Sequence, residues 1–254
     1  MVVPELRLLP GHLTLFFVLS LIPILILISY TSAYLKFPII DILASLKGIL
    51  PTSVFEMLVP YTEKGLTLHS GVWMVFAFIL ASNGMHAVLV CSDTLFGFKH
   101  RNYFLRRLKA LLLTIMLVVI IIFTLLVYGY SSIVLHFDLL EGINEITKLL
   151  IAILRWPVVL LFLFLTIKIV YMVTPRYRIP GKYTNIGALF TSIVWVVSTF
   201  AYSYYLNHFN NQYSDLYGDF ANVIVLIMWM YILSYVFTLG ISINAYHYRI
   251  KQVN

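Results

Sequence analysis

Residues 109–130 read KALLLTIMLVVIIIFTLLVYGY, and no charged side chain occurs from Ala110 to Phe137. A helix needs about 20 apolar residues to cross the hydrocarbon core of a bilayer. The stretch fits that length, so a membrane-spanning helix is expected over about 109–134. The strands of a membrane β-barrel would alternate apolar and polar residues instead, and no such alternation is visible here.

The rest of the chain repeats the pattern. Five further apolar runs give spans at about 13–35, 71–92, 149–173, 186–206 and 220–246. Of the 254 residues, 61% are hydrophobic and 11% charged, whereas a soluble domain carries about 25% charged residues. The solvent for most of this chain is therefore lipid. The expected fold is all-α: a polytopic bundle of six transmembrane helices forming one membrane domain over residues 1–254, with no soluble catalytic domain. The first run is read as a retained span, because the apolar stretch Leu13–Ser29 is long for a signal peptide and only Arg7 precedes it.

Basic residues set the orientation. With the N-terminus inside, eleven Lys and Arg fall in cytoplasmic segments: Arg7; Lys99, Arg101, Arg106, Arg107 and Lys109; Arg176, Arg178 and Lys182; Arg249 and Lys251. Only Lys36, Lys47, Lys64 and Lys148 fall outside. Both termini are expected in the cytoplasm. The net charge of +7 is thus a topology signal and a contact for anionic lipid, not a nucleic-acid footprint. The lone Cys91 excludes an internal disulfide.

Between the first two spans, Ile39, Ile42, Leu43, Leu46, Ile49 and Leu50 recur at helical spacing up to Pro51, and a second amphipathic piece ends near Pro60. Segment 38–60 is too short and too charged to span, so interfacial helices are expected there.

Polar residues inside spans face protein or water. In the fifth span Ser192, Trp195, Thr199, Tyr202 and Ser203 share a face, opposite Ile193, Val197, Phe200 and Ala201. In the sixth, Tyr231, Ser234, Tyr235, Thr238 and Ser242 form a second polar arc. The two arcs suit either a central pathway or a hydrogen-bonding seam between helices. In the second span Ser82, His86 and Asp93 share a face, which suggests a proton relay or a packed histidine beside a hydrated acid. In the fourth, Arg155 and Lys168 are basic groups within an apolar run. Lys168 is the better candidate for an inward charge holding an anionic headgroup, with snorkelling as the alternative. Pro157 suits a first helical turn, and Pro23 is expected to kink the first span. No P-loop, HExxH, GxSxG elbow or Cys/His cluster is present.

The C-terminal half carries a recognisable pattern: Arg155-Trp156-Pro157, Tyr171, Pro175, Gly187-Ala188, Trp195, Phe200, Tyr204, Tyr213, Tyr217-Gly218, Trp229, Tyr231, Gly240 and Asn244-Ala245. Ser20-Leu21-Ile22-Pro23 and Ala81-Ser82-Asn83-Gly84 extend it more loosely to the N-terminal half. The chain resembles the YihY/BrkB family of bacterial inner-membrane proteins. The resemblance implies a six-helix protein of the inner membrane, linked to serum resistance and envelope lipids and once labelled ribonuclease BN. It also implies structural roles for Pro23, Tyr217, Gly218, Trp229, Gly240 and Asn244. Where the family has Gly-Ala-Glu-x-Asn this chain has Gly240-Ile241-Ser242-Ile243-Asn244, so a mechanism needing that carboxylate does not carry over.

The function expected is a transporter or translocator of anionic envelope lipid. Its candidate path residues are Ser82, His86, Arg155, Lys168, Ser192, Trp195, Thr199, Tyr202, Tyr231, Tyr235, Thr238 and Ser242. The alternative is a non-transporting scaffold or envelope-assembly factor. A water-filled cavity between the fifth and sixth spans would favour the first, and a tightly packed bundle without a cavity the second. Neither reading needs enzymatic activity, a cofactor, a metal or nucleic acid. The partners expected are membrane lipids, and no oligomeric state is fixed.

Overall fold

Among the described residues six long α-helices make up the bundle, and their lengths follow from the apolar runs plus the charged turns that flank them. The structure, a computed structural model, describes residues 8–35, Pro60, 71–98, 102–136, 145–217 and 221–253. The expected interfacial segment 38–60 lies outside the described residues except for Pro60, and so does Gly218. The helices are α1 (Leu9–Leu35), α2 (Gly71–Phe96), α3 (Tyr103–His136), α4 (Glu145–Val173), α5 (Asn185–Tyr217) and α6 (Ala221–Val253). Each packs on its neighbour in sequence, and α6 returns to α1 and α2, so the bundle is a closed ring in chain order.

Among the described residues five helices contain apolar stretches long enough to cross a bilayer, and the apolar piece described in α4, Pro157–Val173, is shorter. The chain is a polytopic helical membrane protein. The helices overrun the expected spans where charge, not helicity, ends the apolar run. Helix α3 includes Arg106, Arg107 and Lys109, and α6 continues through Arg249 and Lys251. Pro157 is a correction: α4 starts at Glu145, so this proline is inside the helix and not in its first turn. Pro23 is likewise inside α1, where its ring removes one donor from the backbone ladder.

The loop ends facing α2 are tied by specific bonds. Helix α2 stops at Gly97, whose φ of +73° suits a residue without Cβ. The N–H of Phe98 donates to Asp93 O (2.9 Å) and that of Gly97 to Thr94 O (3.1 Å), the paired bonds of a Schellman cap. Arg249 Nη2 of α6 donates to Leu95 O at 2.8 Å, placing a cation on the negative end of α2. The carboxylate of Asp93 is buried and its Oδ1 accepts from the N–H of Arg176 at 2.7 Å. Asp93 is therefore not a hydrated end residue; it pins the α4–α5 connection. Lys109 Nζ donates to Thr174 O (3.3 Å) and Pro175 O (2.9 Å) of that same connection.

Candidate functional site

The polar face of α5 points into the bundle. Ser192, Tyr202 and Ser203 are buried, Trp195 and Thr199 half-buried, and Ile193, Val197, Phe200 and Ala201 exposed. Its polar atoms meet α6. Trp195 Nε1 donates to Leu233 O at 2.8 Å, Tyr202 Oη to Val225 O at 3.0 Å, and Trp229 Nε1 to Thr199 Oγ1 at 3.4 Å. Tyr171 of α4 is fully buried and its hydroxyl donates to Phe237 O at 2.8 Å. One phenol proton cannot serve two acceptors, so in the 2.8 Å bond between Tyr171 Oη and Thr191 Oγ1 the threonine donates. Other hydroxyls turn back on their own helices: Ser192 on Leu189 O, Thr238 on Ser234 O, Ser242 on Thr238 O, and Ser82 on Ile79 O. The α5–α6 contact is a hydrogen-bonded seam.

Small residues let that seam close. A Cβ at Gly187 would collide with Gly240 O and Asn244, and one at Gly240 with Thr191 and Tyr171. Such close backbone approach is how membrane helices gain packing without a hydrophobic drive from water.

The α6 arc divides. Ser234 and Thr238 are buried, but Tyr231 and Tyr235 are 46% and 47% exposed. The arc straddles the edge of the helix face that meets α1, α2 and α5, so these tyrosines stand outside the bundle with their rings 6.4 Å apart. Lys168 also departs from the inward reading. Its Cε lies 3.4 Å from where a Cβ of Gly181 would sit, and its ammonium is 5.8 Å from the centroid of the Phe164 ring. It runs toward the turn beyond α4, as snorkelling requires. Arg155 is on α4, with its side chain outside the described residues, as are the side chain of Tyr217 and all of Gly218. His86 faces the start of α3, with its ring 6.0 Å from that of Tyr103, whereas Asp93 faces the α4–α5 connection. The two do not form a relay.

What the bundle does form is an apolar cavity of about 410 Å³, open on part of its surface and within the range of about 300–1,000 Å³ typical of ligand pockets. All six helices line it: α1 through Phe17, Leu21 and Ile24; α2 through Ala81, Met85 and Val88; α3 through Leu117 and Ile121; α4 through Leu163 and Val170; α5 through Trp195; and α6 through Met230, Leu233 and Phe237. Phe237 gathers the rings of Phe17, Tyr171 and Trp195, at centroid distances of 6.2, 4.9 and 5.9 Å. Three hydroxyl residues reach the wall: Ser20, Thr114 and Thr166. Each bonds to a carbonyl of its own helix: Ser20 to Phe17 O (3.1 Å), Thr114 to Ala110 O (2.8 Å) and Thr166 to Phe162 O (2.8 Å). The wall thus offers a guest no unsatisfied donor among these groups.

Of the eleven candidate path residues whose side chains are described, only Trp195 lines this cavity. The others among them whose side chains are described belong to the seam, to their own helix backbone, to the outer surface or to the α2–α3 face. Sequence reasoning missed the true lining because Leu163 and Val170 carry no mark that separates them from lipid-facing Leu161 and Leu165.

Comparison with known proteins gives the lineage. The family model described as Virulence factor BrkB matches residues 5–253. The ribonuclease-like protein YfkH of Bacillus subtilis (strain 168) is 30% identical over 250 residues, covering 96% of this chain and 90% of YfkH. A UPF0761 membrane protein of Pseudoalteromonas atlantica is 30% identical over 76 residues, which is 30% of this chain and 25% of that protein. The UPF0761 membrane protein IL2447 of Idiomarina loihiensis is 24% identical over 98 residues, 38% of this chain and 34% of its own. No solved structure matches. Matched from end to end of the bundle, the chain belongs to the BrkB family.

Proposed function

We propose that this protein handles lipid in the bacterial inner membrane, with both termini in the cytoplasm, by admitting an acyl chain to the central cavity and so translocating or presenting the lipid. The supporting observation is the cavity wall: six helices contribute apolar side chains, and the hydroxyls of Ser20, Thr114 and Thr166 are already satisfied. Water or an ion gains nothing from such a wall, whereas a hydrocarbon chain keeps the dispersion contacts it has among lipid tails. No catalytic step is proposed. The ribonuclease-like name belongs to the Bacillus relative. Among the described residues no three His, Cys, Asp or Glu side chains gather as a metal site.

The test is lipid binding to the purified protein. Val170 lines the cavity and is buried. Val170→Phe should fill the space, keep or raise the thermal midpoint, and sharply reduce uptake of a spin-labelled phospholipid chain. Unchanged uptake in a well-folded variant would sink the reading. The scaffold alternative draws on the α5–α6 seam, which uses as structural links the polar groups a pathway would need. It predicts that no lipid chain is immobilised in either protein.

A further inference from the structure

A tail gains little on leaving a bilayer for an apolar cavity, because lipid is as apolar as leucine. If the cavity takes tails, selection among lipids falls to a headgroup site. The α1–α2–α3 junction gathers basic side chains suited to one. The ring of His86 is 6.0 Å from that of Tyr103, in the same opening turns of α3 that carry Arg106 and Arg107. Guanidinium groups gathered in this way favour an anion placed among them. His86 Nε2 and Arg106 Nε are both buried with no hydrogen-bond partner among the described residues, although a buried donor or acceptor left unpaired is destabilising. Arg107 is held in place, with Nη1 donating to Asn83 Oδ1 at 2.8 Å and Nη2 to Ile79 O at 3.0 Å.

The junction adjoins the cavity. His86 follows Met85, which lines it, and the ring of His12 packs 4.9 Å from that of Phe16, the neighbour of the lining residue Phe17. Tyr103 and Phe104 are 68% and 76% exposed at the start of α3, the amphipathic and apolar rings expected where a helix enters the headgroup layer. We propose that His86, Arg106 and Arg107 form a site for the phosphate of an anionic phospholipid whose tail enters the cavity. Guanidinium groups suit this chemistry, because their fork of N–H donors matches the oxygens of a phosphate. The assignment rests on the tail-binding reading and adds the headgroup to it.

The experiment uses the full chain in detergent. It compares phosphatidylglycerol with phosphatidylcholine of the same chains, and inorganic phosphate as competitor. The wild type should prefer phosphatidylglycerol. Arg106→Gln and His86→Gln should each reduce that preference by about tenfold, the scale of one charge-assisted hydrogen bond, while phosphatidylcholine chain uptake stays the same. Arg106→Lys should keep part of the preference; equal loss in Arg106→Lys and Arg106→Gln would mean a packing role and overturn the site. Lys182→Gln, an exposed cation elsewhere, should change nothing, and an equal loss there would reduce the effect to diffuse surface charge. Retention of the preference by Arg106→Gln, or competition by inorganic phosphate as strong as by lipid, also overturns the proposal. Failure of the cavity reading is separately visible, because it removes chain uptake for both lipids alike.

Discussion

The side-chain oxygen of Asn244 accepts a hydrogen bond from the backbone N–H of Gly187 at 2.9 Å. Gly187 is in the first turn of α5, where backbone donors have no partner within the helix. A residue near the end of α6 thus caps the start of α5, and the glycine lets the two backbones come close enough to do so.

That pairing ranks two substitutions. Asn244→Ala should lower stability by about 1–3 kcal/mol, the range for a buried donor left unpaired. Gly187→Ala pushes a methyl against Gly240 O and Asn244 and should reduce folded protein at least as much, since overpacking costs about 1–3 kcal/mol or more. Thermal melts of the purified variants measure both, and a wild-type melt for either would disprove the capping role.

Tyrosines of α5 and α6 should behave differently from one another. Tyr202 is buried and bonded to Val225 O, so Tyr202→Phe should destabilise by about 1 kcal/mol. Tyr231 faces outward, and Tyr231→Phe should be silent in both melting and lipid uptake. Loss of uptake in Tyr231→Phe with normal melting would restore the α6 arc as a pathway.

Lys168 is a third test. Because its chain runs toward the Gly181 turn, Lys168→Leu should insert and melt as well as the wild type or better, and should keep the preference for anionic lipid. A selective loss of that preference, measured by lipid binding, would move the headgroup site to α4.

Topology can be read by cysteine labelling against a quiet background, since the native Cys91 is buried. A cysteine at Ser214 should react with an impermeant reagent in intact cells, and one at Asn102 should not. The opposite pattern would invert the proposed orientation.

The spans were legible in the sequence because bilayer thickness demands a length, and length is visible in any apolar run. The α5 face was legible because Ser192, Thr199 and Tyr202 contrast with Ile193 and Val197. The α6 arc misled: polarity marks an angle on a helix, but its width did not reveal that Tyr231 and Tyr235 lie past the packed edge. The cavity was illegible for a different reason. In water an inward leucine and an outward lysine differ in kind, whereas in lipid the inward Leu163 and the outward Leu161 are the same residue. The cluster at His86 was half legible: the histidine stood out within its span, but its arginine neighbours read as loop charges because the apolar run begins only after them.

The ring of helices has a consequence for biogenesis. The cavity wall needs Met230, Leu233 and Phe237 of α6, and α6 is the last of the six to leave the ribosome. Until it inserts, α1 and α2 lack the neighbour that Arg249 secures to Leu95, and the half-made bundle lies open to the surrounding lipid. On the lipid-handling proposal, the closing helix folds against hydrocarbon already in place, so a first acyl chain would be acquired during assembly as well as through the open side of the cavity.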